Sequence, residues 1–281
     1  MDAELLRSYL YVPGTQEDRI AKALGGEADA VVIDLEDAVA PDSKRQARRI
    51  ASEVVSHELA KPVFVRVNAL GGGLGEADVA AVIGPGLSGI RIPKTDSADH
   101  VRRVVGWLAE AHSDAAVVPL VESALGVERA FVIASADERV TAIAMGEADL
   151  RADLGVSSDD GLVYARSRCV TAARAAGRVA VQSVFPDLRD LAALRASTER
   201  GRSLGFAGRS AIHPAQVAVI NDALTPTDDE VRRARELMGA YEAALEGGSA
   251  ATTTSDGRFV DEAVVRSARS ILRLAARSRP A

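Results

Sequence analysis

Four apolar runs in this chain each lead into residues able to do acid, base or ligand chemistry. Ala30-Val31-Val32-Ile33 leads into Asp34-Leu35-Glu36-Asp37, and Val63-Phe64-Val65 into Arg66-Val67-Asn68. Val117-Val118-Pro119-Leu120-Val121 leads into Glu122, and Val140-Thr141-Ala142-Ile143-Ala144-Met145 into Gly146-Glu147-Ala148-Asp149. Charges stay out of cores unless they are paired or bind metal. Several buried strands that deliver a charge at the same end predict one shared site at the C-terminal mouth of a parallel barrel.

Glu122 and Asp149, taken as strand ends, have the hard oxygen donors that suit Mg²⁺. That ion takes one or two carboxylates and fills its remaining positions with substrate and water. Each could instead cap the helix that follows, and no histidine or cysteine cluster competes for a softer metal. Arg66 offers a planar fork for a carboxylate ligand, or a structural partner for Glu36 or Asp37. Alternation along the strand sends Asp34 and Glu36 to one face and Asp37 to the other. Glu36 then fits a role in orienting Arg66 or a metal-bound water, and Asp37 a solvated strand end or a ligand contact. Lys94, after Ile92-Pro93, could meet an anion such as a phosphate or remain a solvated loop lysine. His213, after Ala211-Ile212, is a lone histidine at a strand end. His57, His100 and His112 fall in helical stretches and read as surface residues. The glycine pairs and triplets lack the spacing of a dinucleotide or phosphate loop and read as turns.

These residues need a frame. Strand-type runs at 9–12, 30–35, 63–67, 89–93, 116–121, 140–145, 178–182 and 210–212 alternate with helical stretches at 16–24, 44–59, 76–83, 98–112, 126–136, 160–176 and 188–204. Eight strands with helical crossovers predict an α/β fold, a (β/α)8 TIM barrel over residues 1–224. Residues 225–281 then form a C-terminal helical extension or lid. Thr227-Asp228-Asp229-Glu230 reads as a capping box opening a helix to about residue 245. A Gly/Ser/Thr-rich linker at about 246–257 and a last helix over about 262–276 follow.

Composition narrows the function classes. The 281 residues are 47% hydrophobic and 26% charged, which fits one globular barrel with an extension. A net charge of −6 gives no electrostatic case for nucleic acid. No apolar run approaches the roughly 20 residues a bilayer span needs, so no membrane partner is expected. The N-terminus, with Asp2 and Glu4, shows no signal-peptide pattern, and the single Cys169 excludes an internal disulfide. A cytoplasmic location is expected.

The ordered motifs resemble one family. Arg7-Ser8-Tyr9-Leu10-Tyr11-Val12-Pro13-Gly14, Asp34-Leu35-Glu36-Asp37, Arg66-Val67-Asn68, Pro93-Lys94, Glu122 with Gly126, Gly146 through Leu150, Leu204-Gly205-Phe206-Ala207-Gly208, Ile212-His213-Pro214-Ala215-Gln216 and Gly257-Arg258-Phe259-Val260-Asp261 come in the order found in citrate lyase beta-subunit-like proteins of the HpcH/HpaI aldolase superfamily. The resemblance implies a barrel that binds Mg²⁺ and a CoA thioester, as a homotrimer or hexamer. It implies Glu122 and Asp149 as metal ligands, and Arg66 as the residue binding the 2-oxo acid and stabilising enolate charge. Asp261 would be the acid/base residue, serving a neighbouring subunit's site, with the N-cap of the last helix as its structural alternative. Arg7, Lys94 and His213 would line the CoA side. The implied reaction is cleavage or formation of 3-hydroxyacyl-CoA esters such as malyl-CoA or citramalyl-CoA, with synthase or thioesterase activity as variants. A partner-dependent citrate lyase beta-type subunit and a class II aldolase acting on free 2-oxo acids are the alternatives. The chain departs from the family at Ala148, where an acidic residue often precedes the metal-binding aspartate, at Ser123 for threonine, and at Arg209 for lysine.

Overall fold

The computed structural model describes residues 6–254 and 257–278. Asp2, Glu4 and the Ser255-Asp256 part of the expected linker lie outside the described residues. Eight parallel strands close in sequence order into a barrel. They are β1 (Ser8–Pro13), β2 (Ala30–Asp34), β3 (Val63–Arg66), β4 (Leu87–Ile92), β5 (Ala116–Val121), β6 (Ala142–Met145), β7 (Val179–Gln182) and β8 (Gly208–Ala211). β8 returns to β1 with Tyr9 opposite Ser210, which closes the ring.

The crossovers carry α1 (Glu17–Leu24), α2 (Lys44–Val55), α3 (Leu74–Ala81), α4 (Ala98–Glu110), α5 (Ala124–Glu128), α6 (Ala130–Ala134), α7 (Glu147–Leu154), α8 (Val163–Ala175), α9 (Leu191–Leu204) and α10 (Pro214–Leu224). They bury helical stripes against the strands, as α2 does with Ala47, Ile50, Ala51 and Val55. The stretch expected as one helix at 126–136 is two short ones that meet at Arg129. Cys169 on α8 is fully buried among Leu150, Ala165 and Phe206.

Side chains fill the barrel. Tyr9, Val32, Phe64, Val118, Leu120, Ala142, Ala144, Val179 and Val181 pack together inside. Gly89 makes room for the Phe64 ring, because a Cβ there would lie 2.8 Å from two ring carbons.

One element differs in a way that touches the site. Asp149 does not end a strand. β6 stops at Met145, and Asp149 sits in the first turn of α7. Ala148, Leu150, Ala152 and Leu154 alternate with charged residues, so this helix carries the period-two pattern of a strand.

The chain divides into two compact units between Asp222 and Ala223, close to the 224/225 division read from the sequence. In the second unit, Thr227 caps α11 (Asp228–Glu246) with a capping box. The Thr227 hydroxyl accepts from the Glu230 amide at 3.2 Å, and the Glu230 carboxylate accepts from the Thr227 amide at 2.8 Å. α12 (Glu262–Ser278) packs on α11 around Tyr241, Val260 and Val265. The expected linker is partly structured: β9 (Thr252–Thr253) pairs antiparallel with β10 (Phe259–Val260). No described helix is long and apolar enough to cross a membrane.

Candidate active site

The barrel register builds the first half of the site. Asp34 of β2 pairs with Arg66 of β3 at the C-terminal ends of their strands. Arg66 Nε donates to Asp34 Oδ1 and Nη2 to Oδ2, each at 2.7 Å, a bidentate fork. Asp34 also accepts from the amides of Glu36 at 2.9 Å and Ala38 at 3.1 Å, so four bonds fix its carboxylate. Arg66 Nη1 reaches Asp37 Oδ2 and approaches Glu36 Oε2, each at 3.1 Å. The strand expectation for Asp37 is therefore corrected. β2 ends at Asp34, alternation stops there, and the turn brings Asp37 to the same guanidinium as Asp34 and Glu36.

Burial works against the charge on Arg66, but its bonds to Asp34 and that carboxylate's charge outweigh it and hold the guanidinium above its ordinary range. Burial raises the Glu36 carboxyl, against the pull of its bond to Lys94 Nζ at 2.8 Å. That bond in turn raises the Lys94 ammonium. Asn68 ties the following loop down: its amide and side chain donate to Asp78 at 2.8 and 2.6 Å, and Asp78 also accepts from Arg48 at 2.7 Å.

The second half comes from β5 and α7. Glu122 follows β5, is 5% exposed, and accepts from the Lys94 amide through Oε2 at 2.9 Å. Its side chain packs directly against Gly146, where a Cβ would stand 2.4 Å from Glu122 Cγ and Oε1. Burial, opposed by the Lys94 amide and reinforced by the nearby charges of Glu36 and Asp149, pushes Glu122 up to about 7. Asp149 and Glu122 line one cavity of about 420 Å³ with Arg66, Asp34, Asp37, Tyr11 and Ser210.

Two oxygen-donor carboxylates, one of them held where its own charge is unfavourable, fit a hard divalent cation. Among the described residues no group of three His, Cys, Asp or Glu side chains is gathered for a metal. A cation on Glu122 and Asp149 would have two protein carboxylates and would need its remaining oxygens from water and ligand. Glu147, the displaced acid, is held elsewhere: Arg166 binds it bidentately at 2.8 and 2.6 Å, which anchors the first turn of α7.

A larger cavity of about 650 Å³ lies between β1, α1 and the start of α10. It shares Tyr11, Pro13 and Ile212 with the acidic one, and its charged and polar lining is Arg19, Lys22, Glu27 and His213. Of the residues expected on the CoA side, only His213 is there. Lys94 is bound to Glu36 instead. Arg7 is a correction: it precedes β1, at the N-terminal end of a six-residue strand whose other end is Pro13. Its guanidinium pairs with Asp29 at 3.0 and 2.9 Å, roughly 20 Å of strand from the site mouth. A charge at the start of a strand belongs to the opposite face of the barrel. In the second unit, Asp261 Oδ1 accepts from the Val264 amide at 3.0 Å, so the N-cap of α12 is formed.

Three participants escaped the reading of the sequence. Asp34, placed on the right face but given no partner, is the main anchor of Arg66. Tyr11 lines both cavities, and its ring stacks 5.2 Å from the Arg66 guanidinium. Arg91 is fully buried inside the barrel. Its signal was present, as a charge in mid-strand within Gly89-Ile90-Arg91-Ile92.

Comparison with known proteins shows which family the chain resembles along its length. Residues 7–214 match the model of the HpcH/HpaI aldolase/citrate lyase family. The chain is 38% identical to a citrate lyase subunit beta-like protein of Deinococcus radiodurans over 95% of its own length and 96% of that protein's. It is 36% identical to a (3S)-malyl-CoA thioesterase of Cereibacter sphaeroides, covering 96% and 94%. The crystal structure of CitE from Mycobacterium tuberculosis, in complex with magnesium, acetoacetate and coenzyme A, superposes with a TM-score of 0.80 at 30% identity, over 98% of this chain and 100% of that one.

Proposed function

Because the chain belongs to the HpcH/HpaI aldolase/citrate lyase family, we propose that it is an Mg²⁺-dependent carbon–carbon lyase of 3-hydroxyacyl-CoA thioesters. Its products would be acetyl-CoA and a 2-oxo acid. The observation that carries this reading is the arginine fixed by Asp34 lining one cavity with Glu122 and Asp149, with a second cavity that includes Arg19 and Lys22 sharing residues with it.

Glu122 and Asp149 are the residues that would hold Mg²⁺. The ion, when bound, supplies Lewis-acid charge for the substrate's hydroxyl and carboxylate oxygens. Arg66 binds the carboxylate of the 2-oxo acid portion. Nη2 spends one N–H on Asp34 and keeps its second for ligand. Cleavage removes the hydroxyl proton, turns that carbon into the carbonyl of the 2-oxo acid, and breaks the bond to the acyl α-carbon. The bonding pair moves into the thioester enolate, and a proton added to the α-carbon gives acetyl-CoA. Arg66 is preorganised against the charge that develops, since Asp34, Asp37 and Glu36 hold its plane before substrate arrives.

Asp261 supplies acid/base catalysis in this reading, delivered to a neighbouring subunit of a homotrimer or hexamer. Its Oδ1 is engaged as a cap, while Oδ2 has no partner among the described residues. Arg19 and Lys22, with Glu27 opposing them, give the larger cavity two cationic contacts for the phosphates of a CoA chain, and His213 adds a polar one.

The test is incubation of the protein with Mg²⁺ and malyl-CoA, citramalyl-CoA or citryl-CoA, following 2-oxo acid and free thiol separately. Metal-dependent release of 2-oxo acid, abolished by EDTA and lost in a folded Arg66→Ala variant, is the expected result. Wild-type turnover in Arg66→Ala would refute the assignment. Activity regained on mixing Arg66→Ala with Asp261→Asn chains would support a site shared between subunits.

A further inference from the structure

The barrel interior contains a cation that this chemistry does not use. Arg91 of β4 is fully buried. Its guanidinium lies over the rings of Tyr9, Tyr11 and Phe64, at 4.4, 5.4 and 5.9 Å from their centroids. Nη1 donates to Tyr11 Oη at 3.0 Å and to Ser210 Oγ at 3.2 Å. Nε and Nη2 have no hydrogen-bond partner, and no carboxylate pairs with Arg91 among the described residues. A buried cation without a counter-charge is unfavourable, and stacking on aromatic faces offsets only part of that.

The two hydroxyls show where the missing anion would sit. A guanidinium has donors and no acceptor. Tyr11 and Ser210 therefore accept from Arg91, and their own O–H bonds point away from it. Both residues line the cavity that holds Arg66, Glu122 and Asp149, and neither hydroxyl has a protein acceptor among the described residues. Four carboxylates line that cavity, Asp34, Asp37, Glu122 and Asp149. Tyr11 and Ser210 add the opposite character, two O–H donors backed by a cation that no carboxylate pairs among the described residues. Arg66 and a cation on Glu122 and Asp149 would already account for the carboxylate next to the carbonyl. A ligand with no further charge would leave the two hydroxyl donors unmet.

We propose that Arg91, Tyr11 and Ser210 form a second anion-binding element that determines specificity. It recognises a carboxylate substituent on the 2-oxo acid, so the cleaved thioester releases a dicarboxylic 2-oxo acid in preference to one bearing hydrogen or methyl there. The inference rests on the lyase reading of this cavity and narrows its substrate class. Tyr11 and Ser210 touch the ligand; Arg91 is a positioning residue acting through them.

The experiment is calorimetric titration of the Mg²⁺-loaded full chain with oxaloacetate, pyruvate and glyoxylate, without any CoA ester. Wild type should bind oxaloacetate at least about tenfold more tightly than either monocarboxylic acid, the effect of one charged hydrogen bond. Y11F and S210A should each weaken oxaloacetate more than pyruvate, R91M should bring the ratio close to one, and R91K should recover part of it. Equal losses for all three acids in Y11F and S210A, or no preference in wild type, would overturn the proposal. Should R91M fail to fold, the two hydroxyl deletions decide alone. Failure of wild type to bind any of the acids would remove the lyase reading itself, whereas binding without discrimination would remove only this specificity element.

Discussion

Gly146→Ala asks whether the metal-site geometry depends on one missing methyl group. The new Cβ would stand 2.4 Å from Glu122 Cγ and Oε1 and 2.7 Å from Cδ. Ordinary carbon contacts begin near 3.5 Å, so the Glu122 side chain must withdraw by roughly 1 Å. Oε2 accepts from the Lys94 amide at 2.9 Å, and a displacement of that size takes the bond out of range. Overpacking of about 1–3 kcal/mol and a lost charged hydrogen bond of about 1.5–3 kcal/mol together give a destabilisation of about 2.5–6 kcal/mol. For a chain of this size that lowers Tm by about 5–10 °C. A displaced ligand should weaken Mg²⁺ binding by about 10–100-fold. Thermal melts and calorimetric titration with Mg²⁺ measure both. Two controls isolate the cause. Gly106→Ala lies in α4 with nothing near its Cβ and should raise stability slightly. Glu122→Ala with Gly146→Ala removes the clash and should recover much of the stability without recovering metal, a non-additive pair. Wild-type Tm and wild-type Mg²⁺ affinity in Gly146→Ala would refute the reasoning.

Two further predictions concern titration. Glu122 is held near 7 against an ordinary 4.5, chiefly by burial, so the folded metal-free protein binds more protons than the unfolded chain between those values. Its contribution makes metal-free stability fall as pH rises from about 4.5 to 7, on the order of 3 kcal/mol in all. Glu122→Gln should flatten that slope in denaturant melts, and saturating Mg²⁺ should abolish it; an unchanged slope in Glu122→Gln would exclude Glu122 as its source. Burial pushes the Cys169 thiol up to about 12, so a disulfide-exchange reagent at pH 8 should leave the native protein unmodified and react with one thiol after denaturation.

The barrel was legible because its signal is local. Val31, Val32 and Ile33, or Val63, Phe64 and Val65, declare a buried strand without reference to anything else, and the charge that follows declares the strand's end. Arg66 and Glu122 stood out for that reason, and the structure has Arg66 ending β3 and Glu122 directly after β5. What the sequence hid depends on pairing between distant segments. Asp34 meets Arg66 because β2 and β3 pair in one register, and a single chain of letters does not state a register. Arg7 looked like a site residue because its motif was read without its end of the strand. α7 was missed because the run that begins at Val140 was followed through Gly146 to Asp149 as one strand end, whereas β6 stops at Met145 and Asp149 sits in the first turn of α7. Tyr11 and Arg91 show the remaining limit, since an inward-facing tyrosine and a mid-strand arginine gain meaning only once the interior of the barrel is assembled around them.

Lys94 adopts a left-handed backbone, with φ of 50°. Its amide serves Glu122 while its side chain serves Glu36, so one position carries two assignments that can be inherited separately. The amide survives any replacement that tolerates this φ, glycine, asparagine and aspartate most readily. The ammonium does not. Laboratory evolution at this codon can therefore retune the electrostatics around Arg66 while leaving the carboxylate of Glu122 where it is, which makes position 94 a natural starting point for diversifying the enzyme.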